Sequence, residues 1–341
     1  MDAELEERRA RAALDALPGL TWQPIGREDL PAVADLYATC EAFDQNPERQ
    51  SLRGLQEYWD SPRSRPGLDT LVGYAASGCA VAVAWAGCNR VVTQARRVHL
   101  GGAVHPDHRG QGIGRAVLGW ELAHGRAWDE ISRRPGYGPL VMRLYVPVDQ
   151  QDVRDLAERH GLPTVRYFFE MSRALTELPP AADAPGVRLE GWDASRSPEV
   201  RRMVDDAFRD HWGHTDSTEQ TWAEFVGSEA FRPEWTVLAV DDATGRVVGA
   251  ALNCAYEQDW RATGLREGYT DQLGVAATHR GRGVASALLH ASMRRFAASG
   301  MDAAGLGVDA ANDNGALRLY ERLGYRQTDR TCVHELAVEP S

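Results

Sequence analysis

The sequence predicts an α/β fold made twice in tandem, each copy a twisted mixed sheet flanked by helices. Three observations carry this expectation. The segment His108-Arg109-Gly110-Gln111-Gly112-Ile113-Gly114 returns as His279-Arg280-Gly281-Arg282-Gly283-Val284-Ala285. Each copy stands between an apolar strand, over 98–104 or 269–275, and a helix that begins near Gly112 or Gly283. Strands and helices alternate in the same order around both copies, the pattern of a mixed α/β sheet. A length of 341 residues fits two domains, each large enough to bury its own core.

The elements follow in order. Residues 1–19 read as a surface helix, rich in Glu and Arg, that packs Leu5, Leu14 and Leu17. It has neither the basic start nor the apolar centre of a signal peptide. The first domain, 20–175, opens with a strand at 20–25, a polar turn and a helix at 30–40. An irregular stretch runs to Pro66, then strands at 70–75 and 80–87 meet at the turn Ser77-Gly78. The strand 98–104, the glycine turn and its helix follow, then a Pro/Gly-rich turn at 134–139 and a strand at 140–146. A helix at 150–160 is closed by Gly161, and a strand at 165–172 ends the half. Pro179, Pro180 and Pro185 make 176–186 a semi-rigid linker. The second domain, 187–341, repeats the order. It has a strand at 187–191, a helix at 198–209 and a hairpin over 235–254 that turns at 241–245. The strand 269–275 and its turn come next, then a strand at 304–308, a helix at 315–323 closed by Gly324, and a strand at 327–336.

Bulk composition narrows the function classes. The net charge of −11 does not favour nonspecific nucleic-acid binding. Against that net charge an anionic cofactor must be held by local arginines, and because all 38 basic residues are Arg no lysine amine is present for Schiff-base chemistry. High Ala, Gly and Arg point to a GC-rich coding sequence. No run of 18 or more apolar residues exists, so no membrane span is expected. The five cysteines show no Cys-x-x-Cys spacing and read as reduced, which fits a cytoplasmic location. His105-x-x-His108 and His211-x-x-His214 have no third ligand cluster nearby, so no metal site is expected.

The repeated turn has a direct physical reading. Glycines let the backbone approach a ligand closely. Free N–H groups at a helix start, at the positive end of its dipole, bind phosphate. Arginines in the turn add charge-assisted hydrogen bonds. Each copy therefore reads as a pyrophosphate cradle. The dinucleotide fingerprint fits poorly, because Gly110-x-Gly112-x-Gly114 has the wrong spacing and no acidic residue ends a following strand. A helix start without a ligand is the remaining alternative.

Arg-x-x-Gly-x-Gly/Ala resembles the acyl-CoA motif of the GNAT acetyltransferase superfamily, and the chain resembles a tandem GNAT over 22–172 and 187–337. The resemblance implies central strands that splay around a pantetheine arm, with acetyl-CoA or another acyl-CoA as cofactor. It implies cofactor contacts from Ala103, Val104, Arg109, Gly110, Gln111, Gly112, Ile113, Gly114 and Arg115 in the first copy. In the second they are Leu273, Gly274, Val275, Arg280, Gly281, Arg282, Gly283, Val284, Ala285 and Ser286. The segment from Val308 to Tyr325 resembles the family's second conserved region, with Asn312, Ala316 and Tyr320 in register and Asn314 offset. Asn312 and Asn314 are then implied to bond the pantetheine, and Tyr320 to sit near the sulfur and protonate the departing thiolate. Tyr320 as a helix aromatic packed on the last strand is the alternative.

When Gly161 is aligned with Gly324, Ala157 falls on Tyr320 and Asp149 on Asn312. The second domain is thus expected to be catalytic and the first noncatalytic. Asp271 or Glu257 would take the proton of the ammonium, unless each is simply a paired or solvated charge. The strand backbone at Gly274-Val275 would polarise the thioester carbonyl. His211, Trp212 and Trp222 would wall the acceptor site, or else cap the core. The expected activity is direct transfer from acetyl-CoA to a small amine, in natural-product or antibiotic biosynthesis, by a monomer or homodimer. A noncatalytic acyl-CoA-binding or regulatory protein and a transferase for longer acyl-CoA are the alternatives.

Overall fold

The structure, a computed structural model, describes residues 2–62, 64–88, 96–180, 182–311 and 315–339. The chain forms two units: Met1–Arg166 with Thr331–Ser341, and Tyr167–Arg330. In unit 1 the elements are α1 (Ala3–Asp15), β1 (Leu20–Pro24), α2 (Leu30–Phe43), α3 (Leu52–Asp60), α4 (Pro66–Asp69), β2 (Thr70–Ala75), β3 (Ala80–Cys88), β4 (Arg96–Val104), α5 (Ile113–Ser132), β5 (Leu140–Pro147) and α6 (Gln151–Arg159). Then come β6 (Thr164–Ala174), β7 (Val187–Gly191), α7 (Ser197–Phe208), α8 (Glu219–Gly227), β8 (Val237–Asp241), β9 (Val247–Cys254), α9 (Glu257–Thr263), β10 (Glu267–Val275), α10 (Val284–Ala298), β11 (Ala303–Asp309), α11 (Ala316–Arg322) and β12 (Arg326–Val338).

Period-two alternation builds a two-faced sheet in unit 1. Leu71 and Ala82 face the cluster formed with α5 and Leu14 of α1, while their neighbours Val72 and Val83 face Val33 and Leu36 of α2. The sheet runs β1-β2-β3-β4-β5-β12. Its pairs are antiparallel except β4 with β5.

Unit 2 repeats this design as β7-β8-β9-β10-β11-β6, with β10 and β11 the parallel pair. Val237 and Ala239 of β8 face Leu288 of α10, and Leu238 between them faces Val200 and Val204 of α7. Both faces of each sheet are thus covered by helices, which explains why β9 is buried along its whole length.

Three features differ from the sequence reading. The stretch expected to be irregular contains α3, started by the Ser51 side chain, which accepts the Gly54 N–H. Helices α8 and α9 also stand in segments where none was expected. The closing strands are exchanged. β6, encoded in the first half, pairs with β11, and Thr331–Val338 of β12 pairs with β5. The sequence cuts its halves at the 176–186 linker, whereas the units divide at 166/167 and 330/331.

Candidate active site

The parallel pair opens a cleft in each unit. In unit 2, β10 and β11 pair from Glu267 opposite Ala303 to Thr270 opposite Leu306 and then part. A bulge between Thr270 and Gln272 marks the divergence. Beyond it β10 pairs only with β9, so its other edge is available to the amides of a ligand. In unit 1 the pairing of β4 with β5 stops at Leu100 opposite Leu144, although β4 continues to Val104.

Each cleft runs to the glycine turn. Gly110 and Gly112 have φ of 75° and 84°, and Gly281 and Gly283 have 72° and 81°. These left-handed values suit glycine and tilt the next N–H groups out of the turn. Gly112 and Gly283 are the N-caps, so neither brings a capping side chain. Space around a Cβ at Gly110, Gly112 or Gly281 is open. Two long helices therefore begin without a capping side chain, an arrangement that fits a pyrophosphate; the start of α5 is open, and at the start of α10 the Asp183 carbonyl lies 3.3 Å from where a Gly283 Cβ would stand.

The arginines of the turn do something else. Arg280 Nε donates to the Val275 carbonyl at 3.1 Å, and Nη2 to the Ala207 carbonyl at 2.9 Å. Arg109 Nε likewise reaches the Val104 carbonyl at 3.0 Å, and its other nitrogens form a two-pronged pair with Asp44 at 2.6 and 2.8 Å. That pair raises the Arg109 pKa. Both side chains thus fasten the turn to its strand, Arg280 also to α7 and Arg109 also to Asp44 just past α2. Arg282 points to the Pro185 carbonyl, and Gln111 to that of Asp107.

The unit 2 cavity measures about 540 Å³. Asp271, Leu273, Gly274, Val275, Arg280, Gly281, Gly283, Val284, Ala285, Ser286, Tyr320 and His211 line it. Asn312 and Asn314 lie outside the described residues. Trp212 sits beside Phe168, with ring centroids 6.3 Å apart. Trp222 is corrected. It is only 6% exposed, belongs to the α7 core cluster, and donates Nε1–H to Ser197 at 2.8 Å. Its place in the apolar stripe of α8 turns it inward.

Asp271 accepts the Tyr256 hydroxyl at 2.7 Å, and burial raises its pKa above the ordinary carboxylate range. Tyr256 carries no motif, so only the folded strands reveal it. Tyr320 is 7% exposed, and burial holds its pKa up at about 12. Among the described residues its hydroxyl has no hydrogen-bond partner. His211 packs on Phe208 at 4.5 Å, and burial, with Arg280 nearby, lowers its pKa. Glu257 pairs instead with Arg232 at 2.6 Å and does not line the cavity.

The unit 1 cavity, about 750 Å³, is lined by Ala103, Val104, Arg109, Gly110, Gly112, Ile113, Gly114 and Arg115. Its chemistry is different. Ala157 is fully buried in the core, and Leu100 stands where Asp271 does when the two turns are aligned. A carboxyl enters from the helix instead. Glu121 accepts the Trp85 backbone N–H at 3.1 Å, and burial pushes its pKa well above the ordinary carboxylate range.

Comparison with known proteins matches this geometry. The model of the Acetyltransferase (GNAT) family matches residues 30–161 and again 197–325. The chain is 32% identical over 241 residues to the mycothiol acetyltransferase of Mycolicibacterium vanbaalenii, covering 69% of this chain and 73% of that protein. It is 30% identical over 319 residues to that of Pseudarthrobacter chlorophenolicus, covering 91% and 93%. A GCN5-related N-acetyltransferase from Sphaerobacter thermophilus superposes with a TM-score of 0.74 at 26% identity, over 95% of this chain and 97% of that one. The tandem GNAT protein of the clavulanic acid biosynthesis pathway shares the fold, with a TM-score of 0.63 at 16% identity over 94% and 99%. No helix among the described residues is long and apolar enough to cross a membrane. Two family matches, two splayed sheets and two glycine turns make one conclusion: this chain belongs to the GNAT acetyltransferases, as a tandem acyltransferase that uses acyl-CoA.

Proposed function

We propose that the chain transfers the acetyl group of acetyl-CoA to the amine of a small acceptor, with unit 2 performing the transfer and unit 1 holding acyl-CoA without turnover. One observation carries this reading. The parting of β10 and β11 brings a buried carboxyl, a phenol and an uncapped helix start to one cavity. The equivalent positions of unit 1 hold Leu100 and Ala157.

The residues fit an acyl-CoA at three places. The N–H groups after Gly283 face the pyrophosphate end, the free edge of β10 faces the amide-bearing arm, and Asp271 and Tyr320 lie where the strands have parted. When bound, the cofactor supplies the acyl group as a thioester. Asp271 removes a proton from the acceptor ammonium, because its raised pKa makes it a better base than an exposed carboxylate near neutral pH. Tyr256 orients it through their hydrogen bond. Tyr320, kept protonated by burial, donates its proton to the departing sulfur and recovers one from solvent. The backbone near Gly274 polarises the carbonyl under attack. His211 and Phe208 border the acceptor end.

The acceptor class follows from the relatives. Several are mycothiol acetyltransferases, so the amine acetylated in mycothiol formation is the first acceptor to supply. The purified chain is mixed with acetyl-CoA and a panel of small amines that includes this one, and products are read by mass spectrometry. An acetylated amine with one free CoA per turnover supports the proposal. Bound acetyl-CoA with no product from any amine would make the chain a binding protein. Native mass spectrometry reads occupancy: two equivalents per chain support a working unit 1 cradle, and one equivalent sinks it.

A further inference from the structure

We propose that Asp69, Cys88 and His124 of unit 1 form a binding site for one divalent transition-metal ion, with zinc the ion that their donor atoms suit. The three stand far apart in sequence, which is why no ligand spacing announces them. The fold brings the end of α4, the end of β3 and the middle of α5 to one point. One carboxylate oxygen, one sulfur and one imidazole nitrogen there lie within 4.8 Å of one another, with Asp69 and Cys88 buried and the His124 side chain 12% exposed. Thiolate, imidazole and carboxylate together are a donor set for a borderline-soft cation such as zinc.

The surroundings support a ligand role for His124. Its Nε2 lies 3.0 Å from Asp69 Oδ1, while Nδ1 is held by Glu7 Oε1 of α1 at 2.6 Å. A metal-bound histidine typically gives its second nitrogen to an outer carboxylate, which fixes the ring and its tautomer. The ring is also stacked on Trp120, with centroids 5.0 Å apart and planes 21° from parallel. Arg65 lies 3.7 Å from Asp69 and balances charge. Glu7 borders a surface cavity of about 430 Å³, together with Gly67, Leu68 and Trp120, which gives the ion a route in.

The binding step conserves charge. In the metal-free site Asp69 and Glu7 face Arg65 and His124. As the dication binds, the Cys88 thiol and the His124 imidazolium each release a proton to solvent. Metal–sulfur, metal–nitrogen and metal–oxygen bonds form, and the His124–Asp69 hydrogen bond is given up. The formal charge of the site is the same before and after, so no uncompensated charge is left in the core.

The test uses the whole chain, stripped by chelation and titrated with zinc chloride by calorimetry in buffers of different ionisation heat. The expected result is one equivalent per chain with about two protons released. Cobalt(II) should give a thiolate-to-metal charge-transfer band. Cys88→Ser should abolish the band and weaken zinc at least about tenfold, and Glu7→Gln should weaken zinc about 10–100-fold. Cys79→Ser, at an exposed thiol, should change neither. No saturable zinc equivalent, or a band that survives Cys88→Ser, overturns the site. Should Cys88→Ser fail to fold, X-ray absorption on the zinc-loaded wild type decides. One sulfur among lighter ligands supports the proposal, and a shell without sulfur overturns it.

Discussion

Tyr320 and Asp271 share a cavity, and two substitutions test the separate tasks proposed for them. Tyr320→Phe removes one oxygen and leaves the ring to pack against Tyr325. It should lower kcat by roughly 10²–10⁴-fold with little change in the KM for acyl-CoA, as steady-state kinetics would read. A parallel rise in KM would instead make Tyr320 a packing residue. As the proposed base, Asp271 should govern the acid side of the pH profile. Burial raises its pKa, so the carboxylate form appears, and kcat/KM climbs, only above the ordinary carboxylate range. Asp271→Asn should remove that limb as well as slow the reaction. A limb that persists in the variant assigns the base to another group. Tyr320 was legible because an Ala at helical spacing and a Leu-Gly-Tyr turn surround it. Tyr256 was not, since a partner across strands leaves no spacing in the chain. Trp222 misled because an aromatic near an expected pocket and an aromatic of the core look alike until the helix face is known.

The turns and strands were the most legible elements, since glycine punctuates them and period-two alternation marks both sheet faces. Short helices were the least. α3, α8 and α9 span 9, 9 and 7 residues, too few for a helical period to stand out from loop sequence. Two glycine substitutions test the elements. Gly281→Ala meets open space, so its cost is that of a left-handed backbone alone. A penalty of about 1–2 kcal/mol on the bound turn should weaken acyl-CoA binding roughly 5–30-fold, measured by titration calorimetry. Unchanged affinity would show that this turn does not touch the cofactor. Gly268→Ala tests packing instead. Its Cβ would overlap the Phe296 ring of α10, so the variant should lose about 1–3 kcal/mol of stability by denaturant unfolding.

At the scale of the molecule, the repeat was legible and the exchange of closing strands was not. β6 and β12 both follow a glycine-closed helix, and backbone hydrogen bonds do not record which half of a sequence supplies a strand. A fragment of residues 1–175 keeps β5 but lacks β12, its antiparallel neighbour. It should give a poorly dispersed amide spectrum, and a peptide of residues 326–341 added in trans should sharpen it. A fragment that folds cooperatively without the peptide would show that the exchanged strand is dispensable.

The exchange also sets a clock on synthesis. Tandem domains usually fold one after the other as they leave the ribosome, the first while the second is still being made. Here the second unit is complete only at Arg330 and the first only once Thr331–Val338 has emerged. At ordinary elongation rates the roughly 180 residues between Pro147 and Thr331 take roughly 10–40 s, during which the edge of β5 stays open in the nascent chain. Until Thr331–Val338 arrives, that edge is a template for wrong pairing, which a chaperone covering β5 would prevent.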